Sequence, residues 1–261
     1  MKNNPLYEKM RNGEKVLGAF FNLNCVPGVE ILAQSGLDFI MFDTEHGPCD
    51  VETMSSLVIA CEARDITPII RVKDYQRNSV LKMLDIGAMG VLVPFIKTVD
   101  EVKQLVSYGK YRPVGDRGYG MTRKNCYCLD PITKRAEDYF EWANRETMII
   151  PQCETKEALG CIEEIAAVEG VDGIFVGPFD LSVSMGIPTQ FKNPVFIDAL
   201  KRVLKACRDN GKFCWILSLA PEDGIEKLEM GFDGVLGMDS MFLIEGARRY
   251  VSTVRGAGKQ R

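Results

Sequence analysis

The clearest structural pattern of the chain lies between Met148 and Gly186, in MIIPQCETKEALGCIEEIAAVEGVDGIFVGPFDLSVSMG. It contains an apolar strand at Met148–Cys153, an amphipathic helix, and a second apolar strand at Gly173–Val176. The strands of a parallel strand–helix–strand unit run in the same direction, so their carboxyl ends lie at one edge of the sheet. Glu154 follows the first strand and Asp180 follows the second. We therefore expect the two carboxylates to lie at the same edge.

Two carboxylates at one edge predict a metal site. A hard divalent ion such as Mg²⁺ or Mn²⁺ prefers oxygen ligands, and water and substrate complete its octahedron. The alternative is that Glu154 and Asp180 only stabilise the starts of two helices, because acidic residues are favoured at helix N-termini. Their occurrence after adjacent strands favours metal ligation.

The same alternation of strand and helix extends along the whole chain. Further apolar strands are predicted at residues 18–23, 39–42, 68–72, 91–95, 213–217 and 234–237. Apolar strands without polar alternation indicate a parallel sheet that helices cover on its outside. The 261 residues fit a (β/α)8 TIM barrel, which typically has about 250 residues. We predict an α/β protein with one TIM-barrel domain over residues 1–261.

Composition excludes several classes of protein. A net charge of −4 gives no basic footprint for nucleic acid or an anionic membrane. The first 15 residues lack the apolar core of a signal peptide. The nine cysteines include no CxxC pair, which is typical of free thiols in a reducing compartment. We expect a cytoplasmic protein that binds neither nucleic acid nor membrane.

Two segments depart from the regular alternation. Residues 112–146 open with RPVGDRGYGMTRKN and have no clean period, and their length and their glycine, arginine and aromatic content predict an inserted active-site loop. The last helix, from about residue 240, opens with four apolar residues, MFLI at 241–244. A helix that is apolar all round packs on more than one surface, and a neighbouring subunit is a candidate for one of them.

Polar residues at the carboxyl ends of barrel strands are the candidates for catalysis. Asp43, Glu45 and His46 follow the second strand, and Gln152 lies at the end of the fifth. His46 is the only histidine of the chain, which excludes a three-histidine zinc site. A lone histidine often has a structural role, but the place of this one suits a general base, with Asp43 or Glu45 orienting its imidazole.

Arg71 lies near the end of the third strand, between Ile70 and Val72. It can form a surface ion pair of little energetic value, or it can point into the mouth of the barrel and bind a carboxylate with its planar fork. A hard metal ion, a base and an arginine together suit a 2-oxo acid, because the ion and the arginine can stabilise an enolate.

Six motifs of the chain resemble one family. They are DTEHGP at 43–48, IIRV at 69–72, LDIGAMGVLVP at 84–94, RPVGDRGYG at 112–120, QCET at 152–155 and GPFDLSVSMG at 177–186. In this order they are similar to the metal-dependent pyruvate aldolases of the HpcH/HpaI family, such as 4-hydroxy-2-oxoheptanedioate aldolase. The resemblance implies a class II aldolase that reversibly cleaves a 4-hydroxy-2-oxo acid, either a 2-keto-3-deoxy sugar acid or a diacid, to pyruvate and an aldehyde through a metal-stabilised enolate.

The resemblance also implies roles for individual residues. Glu154 and Asp180 match the family's metal ligands, and the implied ion is Mg²⁺ or Mn²⁺, with Co²⁺ as an alternative. His46 matches the catalytic base, paired with Asp43, and Arg71 matches the arginine that holds the pyruvyl oxygens.

Other implied features concern the substrate and the assembly. Gln152 and the backbone at Gly177 and Pro178 match the lining of the pyruvate site. The family forms hexamers, trimers of dimers that exchange the last helix. Phe179 and the stretches 125–130 and 218–220 depart from the family where the aldehyde half binds, so the acceptor stays open.

Three other hypotheses remain. Lys73, just past the third strand, could form a Schiff base in an aldolase of the other class. A CoA-thioester lyase of the malyl-CoA or citramalyl-CoA type shares the fold and the metal ligands, although no basic groove for CoA is apparent. A barrel without catalytic activity would require the strand-end residues to be coincidental.

Overall fold

Eight parallel strands, each paired with the next along the chain, close into a barrel through pairing of the last with the first. The computed structural model describes residues 1–257, so residues 258–261 of the predicted domain lie outside the described residues. The strands are β1 Val16–Phe21, β2 Phe39–Asp43, β3 Thr67–Arg71, β4 Gly90–Val93, β5 Met148–Cys153, β6 Gly173–Val176, β7 Phe213–Leu217 and β8 Gly234–Met238. The predicted TIM barrel is confirmed.

Helices surround the barrel. They are α1 Pro5–Arg11, α2 Val26–Leu32, α3 Val51–Ala63, α4 Arg77–Asp85, α5 Val99–Gly109, α6 Ala136–Glu146, α7 Lys156–Gly160, α8 Ile162–Ala167, α9 Pro178–Ser184, α10 Pro194–Asp209, α11 Pro221–Met230 and α12 Asp239–Ala257. The single helix predicted between β5 and β6 is divided at Cys161, whose ψ of 28° interrupts the helical backbone just after Gly160. Gly160 has a low helical propensity, which favours a break at this position.

Side chains that point inward fill the barrel. Phe39 and Trp215 stack across its interior with ring centroids 4.9 Å apart. Glycine makes room for them, because a Cβ at Gly18 would lie 2.4 Å from the ring of Phe39. Helix α1 closes the amino-terminal end, where Met10 contacts the indole of Trp215. A packed interior and a closed end leave only the carboxyl ends of the strands for a site.

The segment predicted as an active-site loop, 112–146, lies at the amino-terminal end of the barrel. It connects α5 to β5, and connections from helix to strand lie at this end in a TIM barrel. Arg123 donates to the Ile86 carbonyl at the end of α4, and Lys124 donates to the Ala88 carbonyl before β4. The segment also contains α6, which the sequence did not predict. It does not line the mouth of its own barrel, and its role in an active site stays a prediction.

The last helix makes little contact with the barrel. Asp239, its first residue, accepts hydrogen bonds from the backbone of Asn22 and Leu23 after β1, at 2.7 and 3.0 Å. Every residue from 242 to 256 is exposed. No helix within residues 1–257 is long and apolar enough to cross a membrane.

Candidate active site

A polar pocket of about 70 Å³ lies at the carboxyl ends of the strands. This volume holds several water molecules or a fragment of a few heavy atoms. Its walls include six residues predicted from the sequence, Asp43, Arg71, Gln152, Gly177, Pro178 and Asp180. The apolar walls come from Phe20, Phe175, Phe179, Leu217 and Met238.

Arg71 is the centre of the positive charge in this pocket. Its Nε and Nη2 donate to the two carboxylate oxygens of Asp43 at 2.9 and 2.7 Å, and its Nη1 lies 3.1 Å from Glu45 Oε2. The side chain is 11% exposed, and its guanidinium lies 4.8 Å from the ring centroid of Phe20. Burial alone would lower the pKa of Arg71, but the hydrogen bond and charge of Asp43 and the charges of Glu45 and Glu154 outweigh it and raise the pKa. Arg71 is therefore a fixed cation in the barrel mouth and not a surface ion pair.

Asp43 fixes the start of the loop that carries His46. Its Oδ1 accepts the backbone N–H groups of Glu45 at 3.0 Å and of His46 at 3.3 Å. The imidazole itself lies at the rim, 68% exposed, with Nε2 3.8 Å from Glu45 Oε2. Asp43 thus orients His46 through the backbone, and the carboxylate next to the ring is that of Glu45.

Glu154 is buried behind the pocket. Its Oε1 accepts the backbone N–H of Phe95 at 2.5 Å, and its Oε2 accepts the side-chain amide of Gln152. Burial is the main cause that raises the pKa of Glu154 to about 7, and the charges of Glu45 and Asp180 add to it. The helix after β5 is capped by Thr155, whose side chain accepts from Ala158 N–H, so Glu154 does not serve as its cap.

Asp180 lies in the first turn of α9 and is exposed to the mouth. Gly177 lets the side chains of Gln152 and Glu154 pack directly against the backbone before α9, because a Cβ there would lie 2.7 Å from Gln152 Nε2 and 2.9 Å from Glu154 Oε2. The charge of Asp180 contributes to the raised pKa of Glu154, and joint metal ligation by the two carboxylates stays a prediction. Lys73, in contrast, is exposed after β3 and is not among the residues that line the pocket.

The donor set of the mouth fits a hard divalent ion. Within residues 1–257, no three His, Cys, Asp and Glu side chains are grouped closely enough to hold a metal by themselves. Two carboxylates with water and substrate are nevertheless what hard ions accept. The buried oxygens Asn22 Oδ1 and Gln152 Oε1 have no hydrogen-bond partner among the described residues. Such oxygens need donors, and water or substrate hydroxyls in the mouth can supply them.

Two contributors to the mouth were not predicted. Phe95 was predicted as the end of a strand, but β4 ends at Val93 and Phe95 has a φ of 56°. This turn aims its backbone N–H at Glu154, and Pro94, which disfavours regular pairing, was the signal for it. Asn22 directly follows β1, whereas Asp43 is the last residue of β2, so the position of Asn22 at a strand end could have revealed it.

The fold and the mouth together define a barrel enzyme with carboxylates, an arginine and an imidazole around one polar pocket. Residues 17–245 match the family model described as HpcH/HpaI aldolase/citrate lyase. The chain therefore belongs to the HpcH/HpaI aldolase/citrate lyase family, which confirms the family and the class, an aldolase-type carbon–carbon lyase, predicted from the sequence.

Individual proteins similar to this chain include aldolases and a citrate synthase. A 2-keto-3-deoxy-L-rhamnonate aldolase of Escherichia coli is 32% identical over 239 residues, which cover 91% of this chain and 88% of that protein. The HpcH/HpaI aldolase of Desulfitobacterium hafniense DCB-2 superposes with a TM-score of 0.89 at 27% identity, covering 97% of both chains. The citrate synthase SbnG superposes with a TM-score of 0.86 at 31% identity, covering 97% of this chain and 98% of the other.

Proposed function

We propose that this chain is a divalent-metal-dependent aldolase that reversibly cleaves a 4-hydroxy-2-oxo acid to pyruvate and an aldehyde. The observation that carries the proposal is a pocket lined by Asp180 and by the Arg71–Asp43 ion pair, with Glu154 buried behind it. The relatives support the same chemistry, since one of them is an aldolase for a 2-keto-3-deoxy sugar acid.

Glu154 and Asp180 would hold the ion, for which Mg²⁺, Mn²⁺ and Co²⁺ are the candidates. When bound, the ion supplies a Lewis acid for the negative charge that develops on the 2-oxo group. Gln152 holds Glu154 in place through its amide, and Gly177 has no side chain that would displace either of them.

Arg71 would bind the pyruvyl half. A guanidinium has five N–H donors, and the contacts with Asp43 and Glu45 leave donors for a substrate oxygen. Its charge is already held in place before the substrate arrives, so little reorganisation accompanies the formation of the enolate. The pocket of about 70 Å³ suits the three-carbon half of the substrate and directs the aldehyde half outward to the rim.

His46 would accept the proton at the rim. As the C4 hydroxyl loses its proton, the C3–C4 bond breaks, its electrons pass to C3, and the aldehyde leaves. The exposed position of the imidazole agrees with a reacting hydroxyl outside the small pocket. In the reverse direction the same imidazole returns the proton.

Replacing His46 by asparagine is expected to lower kcat for cleavage by about 10²- to 10⁴-fold, the range that general bases contribute. Because the side chain is exposed, thermal stability and Mn²⁺ affinity should stay at the wild-type values. Steady-state kinetics, thermal unfolding and metal titration check the three quantities. A variant with wild-type turnover would remove His46 from the mechanism.

The affinity for a divalent ion is expected to depend on pH. The metal must displace a proton from Glu154, whose pKa is raised to about 7 in the metal-free protein, chiefly by burial. Affinity should therefore fall about tenfold for each pH unit below 7 and level off above it. Titration with Mn²⁺ between pH 5.5 and 8.5, followed by the electron paramagnetic resonance of the free ion, measures this. A constant affinity across the range contradicts the assignment.

The exposed last helix supports a proposal for the assembly, a hexamer built from dimers that exchange α12. Helix α12 exposes Leu243, Tyr250 and Val254 at heptad-like spacing. The outside of β1 is uncovered at Leu17, and the neighbouring α2 exposes Ile31. An exchanged helix would cover both apolar surfaces. Light scattering should find a hexamer for the wild type and smaller species for Leu243→Glu/Tyr250→Glu, whereas a monomeric wild type contradicts the exchange.

Cleavage of a 2-keto-3-deoxy sugar acid, with the pyruvate measured by lactate dehydrogenase, tests the activity. We expect turnover with Mg²⁺, Mn²⁺ or Co²⁺ and none after EDTA, and turnover that survives EDTA contradicts the metal dependence. The alternative is a CoA-thioester lyase of the malyl-CoA or citramalyl-CoA type, which the relation to a citrate synthase keeps open. Release of CoA from such a thioester, without activity on 2-oxo acids, would favour that alternative. A cytoplasmic location stays part of the proposal.

A further inference from the structure

A second cavity, of about 730 Å³, lies at the amino-terminal end of the barrel, opposite the mouth. It is bounded by the first residues of the chain, the start of β3, and the segment Arg123–Tyr127. Ile66, Pro68, Met89 and Trp142 give it an apolar wall. Its volume is in the range of small-molecule sites, about 300 to 1,000 Å³, and about ten times that of the mouth.

The cations on the cavity wall differ in their partners. Lys2 Nζ lies 2.6 Å from Asp65 Oδ1, and Arg123 forms a two-pronged ion pair with Glu62. Lys124 forms no ion pair with any carboxylate of residues 1–257. Its Nζ donates to the Ala88 carbonyl at 2.9 Å and lies 2.9 Å from the sulfur of Met89.

Lys110, another buried lysine at this end of the barrel, has a full set of polar partners. Its Nζ lies 2.8 Å from Asp172 Oδ2 and also donates to the carbonyls of Asn144 and Thr147. Lys124 is similarly buried, with 7% of the residue exposed, but its contacts are one carbonyl, a thioether, which is a weak acceptor, and the ring of Trp142, whose centroid lies 5.8 Å from Nζ.

These surroundings favour the neutral amine of Lys124. Burial is the main cause that lowers its pKa to about 7, and the charges of Arg117 and Arg123 lower it further. Glu62 on α3 and Glu146 on α6 act in the opposite direction, but each is already paired, with Arg123 and with Arg145. Lysines activated by burial and by neighbouring cations are the nucleophiles of imine-forming enzymes.

We propose that Lys124 is a covalent capture site for small aldehydes in this second cavity. The Nζ lone pair attacks the carbonyl carbon, both nitrogen protons pass to the carbonyl oxygen, and that oxygen leaves as water, which gives an imine. No oxidant or reductant takes part, and hydrolysis reverses the reaction. Thr67 lines the same cavity, and its buried hydroxyl has no hydrogen-bond partner among residues 1–257, so it can donate to the carbonyl oxygen.

The capture site at Lys124 does not depend on the proposed aldolase activity, although that reaction would also release an aldehyde. Lys73, the lysine close to the mouth, is exposed to water. Water stabilises the charged form of an exposed lysine, which is not a nucleophile, whereas burial penalises that form. Lys124 should therefore react first with a limiting amount of aldehyde.

The test is labelling of the whole protein at pH 7 with less than one equivalent of pyridoxal 5′-phosphate, trapping with borohydride, and mapping of the labelled peptides. We expect Lys124 to be labelled at least about tenfold faster than the exposed Lys73 and Lys134, allowing for slower access to a buried amine. Lys110, buried outside the cavity, should stay unlabelled. Equal labelling of the exposed lysines, with Lys124 unmodified, overturns the proposal.

Variants separate this site from the mouth. Lys124→Met, which keeps the length of an apolar side chain and avoids a buried charge, should lose the fast label, whereas Lys134→Arg should keep it. Both should retain metal-dependent cleavage of 2-oxo acids, because the cavity lies at the opposite end of the barrel. Fast labelling that persists in folded Lys124→Met also overturns the proposal. If the wild-type protein is labelled at Lys124 but does not cleave 2-oxo acids, the result counts against the proposed aldolase and leaves the capture site standing.

Discussion

Replacing Glu154 by glutamine is expected to abolish binding of the divalent ion and to lower aldolase turnover by at least about 10³-fold, because the ion would lose its buried charged ligand. The same change should stabilise the metal-free protein at pH 8. Glu154 is 4% exposed, and burial raises its pKa to about 7 from an ordinary value of 4.5. A variant that loses function and gains stability would mark a group placed for chemistry at the expense of the fold.

The sign of the stability effect follows from proton linkage. A carboxyl whose pKa is raised on folding stabilises the folded state in its protonated form, fully below pH 4.5, and this stabilisation is lost as pH rises through 7. At pH 8 the ionised Glu154 therefore costs up to about 3 kcal/mol, which glutamine removes. Gln152 can turn its amide so that its unpartnered Oε1 accepts from the new side chain.

Urea unfolding in EDTA at pH 5 and pH 8, together with metal titration, measures both effects. The free energy of unfolding of Glu154→Gln should exceed that of the wild type at pH 8 and approach it at pH 5. Glu157→Gln, at an exposed position three residues further on, is the matched control and should change neither stability nor metal binding. A Glu154→Gln protein that binds Mn²⁺ as the wild type does would contradict the assignment of the metal ligand.

Replacing Arg71 by alanine is expected to lower kcat/KM by at least about 10³-fold and to destabilise the protein by about 3 to 5 kcal/mol. The loss of activity follows from the loss of the donors that would hold the pyruvyl oxygens. The loss of stability follows because Asp43, 1% exposed, keeps its charge and loses both side-chain hydrogen bonds.

A double variant separates the two effects. Asp43→Asn/Arg71→Ala removes the unpaired charge and should recover most of the stability while staying inactive. Arg202→Ala is the control, because Arg202 also binds a carboxylate with two hydrogen bonds, to Glu163, but at the surface. It should cost less than about 1 kcal/mol and leave activity unchanged. An active Arg71→Ala protein would remove Arg71 from substrate binding.

The barrel and most of the mouth were predictable because they depend on patterns of side chains. Eight apolar segments specify parallel strands, and the polar residues that follow them then lie at one end. On this basis, Asp43, Arg71, Gln152 and Asp180 were predicted to lie together, and the structure places them around one pocket.

What could not be predicted depends on backbone atoms and on distances between loops. The N–H of Phe95 that binds Glu154 depends on a positive φ at Phe95. Nearly any residue can donate a backbone hydrogen bond, so the residue type at this position does not reveal it. The approach of Glu45 to Arg71 depends on the path of the loop after β2. The position of residues 112–146 follows from topology, as a connection from helix to strand, and their composition does not reveal it.

Exchange of the pyruvate methyl protons in D₂O tests the proposed enolate chemistry without an aldehyde. It is followed by NMR, with Mn²⁺ or Mg²⁺ removed before observation. Formation of the enolate exchanges these protons whatever the aldehyde is, so no natural substrate needs to be known. We expect exchange that requires the ion, stops in EDTA, and is lost in Glu154→Gln. Absence of exchange with every ion tried, from a folded protein that binds the metal, would contradict a pyruvate aldolase.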